Sequence, residues 1–288
     1  MAIGDHREAS GPRSPLERAL RDRIREDEAA FARSGGPADT LWDHVARVAS
    51  LAVSLGAEEG LDPEPCRLAG LFHDAGKFAG GRYHDDDRPE EQRSVATLRE
   101  LAAAHGVPDA QVEPVAEAIL QLYRDDPDPT PLAMVLFDAD NLDKLGPLGV
   151  ANFFAKAGLR GGGVSRDLLF QATVELTYAR CAPRSLYTAA GRRRAAVRGA
   201  QTEAYFRALF DALRDDGLAD VQVGEVEHEG LTLVVAAPAC ACGGALRRSV
   251  WEEPGMKCVR VHLRHECAAC GEIHELVFCR PRLERAGE

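Results

Sequence analysis

Aromatic side chains are scarce in this chain: Phe, Trp and Tyr together make up 6% of its 288 residues. Long apolar runs are missing. No stretch approaches the roughly 20 residues that a membrane-crossing helix needs, so the sequence offers no transmembrane segment. Positive charge is in deficit. Against 46 Asp and Glu stand 35 Lys and Arg, a formal net charge of −11. That balance argues against general affinity for nucleic acid or anionic membranes and leaves only local basic patches. The opening residues, MAIGDHREASGPRSP, lack the apolar core of a secretion signal, and the cytoplasm is the expected compartment. Internal repeats and long low-complexity tracts are absent too. What remains is 45% hydrophobic and 28% charged, an ordinary soluble composition. The length suits one large core with a small appendage, or two domains.

Residues 1–13 read as disordered. Ser14-Pro15-Leu16-Glu17 then reads as a helix start, with Ser as N-cap, Pro in the first turn and Glu in capping-box register. Leu16, Leu20 and Ile24 give this helix a thin apolar stripe, and SGGP at 34–37 ends it. Thr40-Leu41-Trp42-Asp43 opens a second helix, with Leu41, Val45, Val48, Ala52 and Leu55 at helical spacing. Periodicity predicts further helices over roughly 63–75, 90–105, 109–124, 130–145, 165–181 and 188–215. After Gly217 the texture changes. LTLVVAAP, KCVRVHLRHE and EIHELVFCR are short, rich in Val and Leu, and read as strands. The expected organisation is an N-terminal segment and helix over 1–38, an all-α domain over 39–218, and a small β-rich domain over 219–288.

Four residues of the helical region are candidates to converge on a metal: His44, the adjacent pair His73 and Asp74, and Asp140. Imidazole nitrogen and carboxylate oxygen together suit a borderline or hard divalent ion such as Mn, Fe, Co, Ni, Zn or Mg. Two of each leave coordination positions open for water and a phosphate oxygen, as metal-assisted hydrolysis requires.

The order His…His-Asp…Asp on the helices of an all-α domain resembles the HD superfamily of metal-dependent phosphohydrolases. DHVARVASLAVSLG resembles that family's first-ligand helix, RLAGLFHDAGKF its central helix, and MVLFDADNLDKLGPLGVANFF the helix of its last ligand. LYTAAGRRRAAVRGAQTEAYFRALFDAL resembles the closing helix of one bacterial branch. The resemblance spans about residues 40–215. It implies that His44, His73, Asp74 and Asp140 are metal ligands, that Asp74 also serves catalysis, and that Lys77 faces the substrate phosphate as in an HD-x-x-K variant. Binuclear members insert two more histidines before the last Asp; here AILQLYRDD carries Gln121 and Tyr123 instead. A single metal is therefore expected. His84 is the one candidate for an extra ligand or substrate contact, and Arg192 and Arg193 are candidates for binding substrate phosphates.

Six of the 8 cysteines crowd into the last fifty or so residues, which favours metal over disulfides in a cytoplasmic chain. Cys240-Ala-Cys242 and Cys267-Ala-Ala-Cys270 can close a tetrahedral structural zinc shell around a module too small for a full core. The segment resembles a zinc ribbon, although the first pair is one residue short and the interval long. Cys258, His265 or Cys279 are alternatives for one member of that first pair.

The expected function is hydrolysis of a phosphate ester, with a nucleotide as the expected substrate class, by metal-activated water. The alternative is a nucleotide-sensing HD module that does not hydrolyse. The electrostatic case for nucleic acid at the ribbon is thin, because its acidic and basic residues nearly balance, and protein docking or self-association is equally consistent.

Overall fold

The computed structural model describes residues 12–33, 40–83, 88–122, 128–255 and 258–281. The expected disorder of residues 1–11, the SGGP stop and His84 lie outside the described residues. Packing divides the chain into two compact units, Met1–Asp143 and Lys144–Glu288. The architecture is the expected one, a helical region followed by small antiparallel sheets. No helix among the described residues is long and apolar enough to cross a membrane.

The first unit holds α1 (Pro15–Arg33), α2 (Leu41–Glu58), α3 (Pro63–Phe72), α4 (Glu90–Ala104), α5 (Asp109–Gln121) and α6 (Pro131–Asp143). Ser14 caps α1 by accepting from the Glu17 N–H. Leu16, Leu20 and Ile24 face inward as the periodicity predicts. Glu17 is buried beside them. Its carboxylate accepts two hydrogen bonds from the Arg67 guanidinium on α3, at 2.6 and 2.8 Å, which fastens α1 to the rest of the unit. Helices α2 and α3 approach so closely that a Cβ on Gly70 would meet the Ala49 backbone at 2.4 Å. Only glycine permits that crossing.

Two helix ends differ from expectation. Helix α3 stops at Phe72, so His73 to Phe78 are a run of turns rather than helix. The segment expected as one helix to 145 ends at Asp143, and a separate helix, α7 (Gly146–Leu159), follows. Gly146, with φ of +78°, and Pro147 in the first turn explain the break.

The second unit holds α7, α8 (Arg166–Ser185), α9 (Ala189–Asp215), and strands β1 (Val221–His228), β2 (Leu231–Pro238), β3 (Leu246–Pro254), β4 (Val259–Cys267) and β5 (Ile273–Cys279). Strands β1 and β2 form one antiparallel sheet; β3, β4 and β5 form another in that order. Strands β1 and β3 are too polar for alternation to single them out: VQVGEVEH and LRRSVWEEP carry charge on exposed faces. Strand β2 is buried on both faces. Leu231, Leu233, Val235 and Ala237 pack with Phe170 of α8 and with Val261, Leu263, Leu276 and Phe278 of the second sheet. Val234 and Ala236 pack on the opposite side with Leu169 and Leu176 of α8 and Phe206 and Phe210 of α9.

The sequence texture changes at Gly217, but burial ties α8 to β2. The Thr173 and Thr177 hydroxyls accept hydrogen bonds from the Ala236 and Val234 N–H groups, at 3.0 and 3.1 Å. Four residues of helix rise about 6 Å and two residues of strand slightly more, so the two spacings match.

Cys258 and Cys279 are joined in a disulfide. This corrects the expectation that the clustered cysteines all favour metal, and removes both as substitutes in the zinc shell. Register explains it. Arg260 pairs with Cys279, which places Cys258 at the β3–β4 end of the sheet, opposite the end that carries the other four cysteines. His265 is also excluded as a substitute: it faces the core, and its Nε2 accepts from Arg248 Nε at 2.9 Å.

Replacing Thr173 and Thr177 by Val should destabilise the chain by about 1–3 kcal/mol per orphaned N–H, read as a fall in the denaturant midpoint. Serine at the same positions should restore most of the loss. A second expectation concerns pH. Burial pushes the Glu175 carboxyl from the usual 4.5 up to about 7, and Lys144 and Lys156 pull it only partway back. The folded chain then holds this proton more tightly than the unfolded chain, so stability falls as pH rises from about 4.5 to about 7. Glu175→Gln should remove that slope in unfolding free energies measured between pH 4.5 and 7.5.

Candidate metal centres

The Gly70 crossing brings the first turn of α2 and the end of α3 together, and the last turn of α6 lies against both. His44, His73 and Asp140 come from these three places. One donor atom from each lies within 4.8 Å of the other two.

Each imidazole is held by its Nδ1. His73 Nδ1 lies 2.8 Å from the Gly70 carbonyl, which can only accept, so this nitrogen carries the hydrogen. His73 Nε2 is then the lone-pair nitrogen. It is buried without a hydrogen-bond partner and faces Asp74 Oδ1 at 3.6 Å and Asp140 Oδ1 at 3.8 Å. His44 Nδ1 lies 2.9 Å from Asp143 Oδ2. Its Nε2 faces Asp140 Oδ1 at 3.4 Å and Asp74 Oδ2 at 3.7 Å. Two lone-pair nitrogens and two carboxylates thus face one point. Ligands about 2.0–2.2 Å from a cation stand roughly 3–4 Å from one another. The donor set fits a divalent ion. Asp74 reaches both histidines but stands outside the mutual set formed by His44, His73 and Asp140.

The electrostatics agree. Burial alone would lower the His44 imidazole, but hydrogen bonds to Asp140 and Asp143 raise it above its usual value. Burial alone would raise Asp74; its neighbours, the Lys77 ammonium among them, hold it well below the usual carboxylate value. The site attracts positive charge at its centre. Lys77 Nζ stands 3.5 Å from Asp74 Oδ2, at the rim.

The sequence reading missed Asp143 and Arg47. The Asp143 carboxylate accepts from Arg47 Nε at 2.7 Å, from Arg47 Nη2 at 2.9 Å and from His44. It fixes the tautomer of His44 as a carboxylate behind a metal-binding histidine does. Helical spacing was the available signal. Arg47 follows His44 by three residues on α2, and Asp143 follows Asp140 by three on α6, which puts each pair on one face.

The other candidates fall elsewhere. Arg192 and Arg193 are on α9 in the second unit, where Arg192 Nε donates to the Leu186 carbonyl at 2.8 Å and Nη2 to the Tyr187 carbonyl at 3.3 Å. His105 caps the C-terminus of α4.

Both cysteine pairs meet. Cys240 Sγ lies 3.3 Å from Cys242 Sγ and 3.4 Å from Cys270 Sγ, and Cys242 Sγ lies 3.4 Å from Cys267 Sγ. Sulfurs on a tetrahedral zinc are about 3.8 Å apart, so a small dilation admits the ion. A Cβ on Gly244 would come within 2.6 Å of Cys267 Sγ and 3.2 Å of Cys242 Sγ; glycine keeps the cradle open. Backbone N–H groups of Cys270 and Ala269 pull the Cys267 thiol down to about 6, toward the thiolate that zinc requires. These two clusters are the only metal-ligating groups of this kind among the described residues.

Comparison with known proteins finds a likeness over the region of the first cluster. Residues 41–145 match the model of the HD domain. Over 133 residues the chain is 32% identical to the uncharacterized protein YpgQ of Bacillus subtilis strain 168, covering 44% of this chain and 61% of that one. The chain therefore spans about three fifths of the length of that curated relative. Among solved structures it is similar to Bacillus subtilis YpgQ in complex with ADP, at 24% identity, covering 69% of this chain and 97% of the other, with a TM-score of 0.49. It is also similar to a predicted HD superfamily hydrolase from an uncultured Thermotogales bacterium, at 20% identity, 69% and 94% coverage and a TM-score of 0.49. The segment from 41 to 145, which carries the paired histidines and aspartates, is similar to the HD domain.

Proposed function

We propose that this chain is a metal-dependent phosphohydrolase, with one divalent cation held by His44, His73, Asp74 and Asp140. The substrate is a phosphate ester, and a nucleotide is the class proposed. The observation that supports this best is the paired anchoring of the imidazoles. Both Nδ1 atoms are engaged, by Gly70 and Asp143, so both Nε2 lone pairs face the two carboxylates.

When bound, the metal lowers the pKa of a coordinated water and polarises a phosphoryl oxygen. The chain's own residues do the rest. His73 and Asp140 are each only 1% exposed, which keeps bulk water off that side of the site. Asp74 is a ligand and also holds the Lys77 ammonium at the rim, where it can meet a phosphate oxygen. Asp143, clamped by Arg47, keeps His44 in its ligating orientation. In the second unit, Cys240, Cys242, Cys267 and Cys270 hold a structural zinc that closes the turn end of the three-stranded sheet.

The test is metal content per chain, followed by hydrolysis of a panel of nucleotides and simple phosphate esters with Mn, Co, Ni and Mg. Asp74→Ala should lose both the helical-site metal and activity while its far-ultraviolet circular dichroism stays unchanged. Activity surviving that change would sink the proposal. Nucleotide binding without turnover under every metal would instead favour a sensing module. Asp143→Asn should weaken metal binding by about 10- to 100-fold, measured by titration of the folded protein, and leave zinc in the cysteine site untouched.

A further inference from the structure

Among the described residues, strand β3 ends the three-stranded sheet and pairs with β4 alone. The two ends of that ladder fix which way its main-chain groups point. The Ala268 N–H donates to the Ala245 carbonyl and the Gly255 N–H to the Cys258 carbonyl, each at 2.9 Å. The register between them is unbroken, so the odd-numbered residues of β3 turn their N–H and C=O groups to β4. Arg248, Val250 and Glu252 turn theirs to the outer edge. Such an edge is a template for another strand.

The sequence of β3, LRRSVWEEP, is basic at one end and acidic at the other. Edge charges repel most strands, but this pattern complements itself. Lay a second β3 antiparallel on the first with the two Val250 residues opposite. Arg247 then faces Glu253 of the second copy, and Arg248 faces its Glu252. The two-fold axis repeats both pairs, and opposite charges across an antiparallel pair are stabilising. The same register aligns the outward groups of Arg248, Val250 and Glu252 on both copies, for about six main-chain hydrogen bonds. A slip of two residues either way sets every one of these charges against an uncharged residue.

The side chains are free to take part. Arg247 is exposed and has no ion pair among the described residues. Arg248 donates to His265 from Nε and keeps its Nη groups. Arg280 meets Glu252 at Oε1, and Arg260 and His262 meet Glu253 at Oε1, so each carboxylate has a second oxygen to offer. Trp251, stacked on His262 at 4.8 Å, is still 37% exposed; in this register Ser249 of the second copy lies beside it. Val250 packs against the core that holds Val261 and Leu263, and Val250 of the second copy extends that core past the edge.

We propose that β3 is a docking edge for a second copy of this chain: two copies pair through it, antiparallel about Val250, and join their three-stranded sheets into one. Neither metal site takes part.

The experiment is sedimentation equilibrium of the full chain up to about 100 μM, a range that covers the weak association of a small interface. Wild type should be dimeric there. Arg247→Glu and Glu253→Arg each set like charges opposite one another twice per dimer. Each should weaken self-association at least about tenfold, with unchanged far-ultraviolet circular dichroism. An equimolar mixture of the two variants should form a dimer again, because each supplies the charge that the other lacks, and the double variant should self-associate as wild type does. A wild type that stays monomeric overturns the proposal. So does a dimer indifferent to Arg247→Glu, or a mixture of the two folded variants that remains monomeric.

Discussion

Three aspartates on one short helix, Asp138, Asp140 and Asp143, are each no more than 3% exposed. Carboxylates removed from water must be paired, neutralised or bound to metal. The first unit is arranged around that requirement. Asp143 takes the Arg47 guanidinium and a histidine hydrogen; Asp140 faces two imidazole nitrogens that have lone pairs to give. The raised affinity of His44 for a proton expresses the same demand, since burial would by itself have lowered it. A cation at the centre would satisfy Asp140, Asp74 and both nitrogens at once. The glycine at the α2–α3 crossing lets the two histidine rings come to 5.3 Å between centroids.

The two clusters solve unlike problems. In the first unit the candidate ligands come from three places well separated in sequence, so the fold must exist before the site does. The cysteines come from two tight turns at one end of a sheet, where an ion, if bound as proposed, would contribute to making the fold. Nitrogen and oxygen donors with positions to spare suit chemistry on a bound phosphate. Four sulfurs closing on one point leave no room for a substrate.

Most of the helical site was legible because its signals are local. An imidazole beside a carboxylate after an apolar run, and an aspartate after another, are visible in LAGLFHDAGKF and VLFDADNLDKLG. The second layer was not, since Arg47 and Asp143 read alone as surface charges on their helices. Only the packing of α2 on α6 makes them partners. The same holds for the cysteines. Spacing pointed to Cys267 and Cys270 and cast doubt on Cys240 and Cys242, yet all four meet. Cys258 and Cys279, equally close in sequence, pair with each other because strand register carries them to the far end of the sheet. Helix α7 carries a short inward stripe, with Val150 buried and Phe153 and Phe154 packed half-buried beside it.

Seating Thr173 and Thr177 on β2 has one more effect. A two-stranded sheet has two open sides, and an open side invites a stray chain to add itself as a further strand. On β2 that invitation is withdrawn, because the hydroxyls of α8 already occupy its outward N–H groups. The remaining side belongs to β1, where exposed Glu225 and Glu227 and the kink-tolerant Gly224 discourage a visitor. A chain with such apolar strand sequence as LTLVVAAP is thereby protected from templated self-assembly, and the protection is supplied by a helix rather than by the sheet.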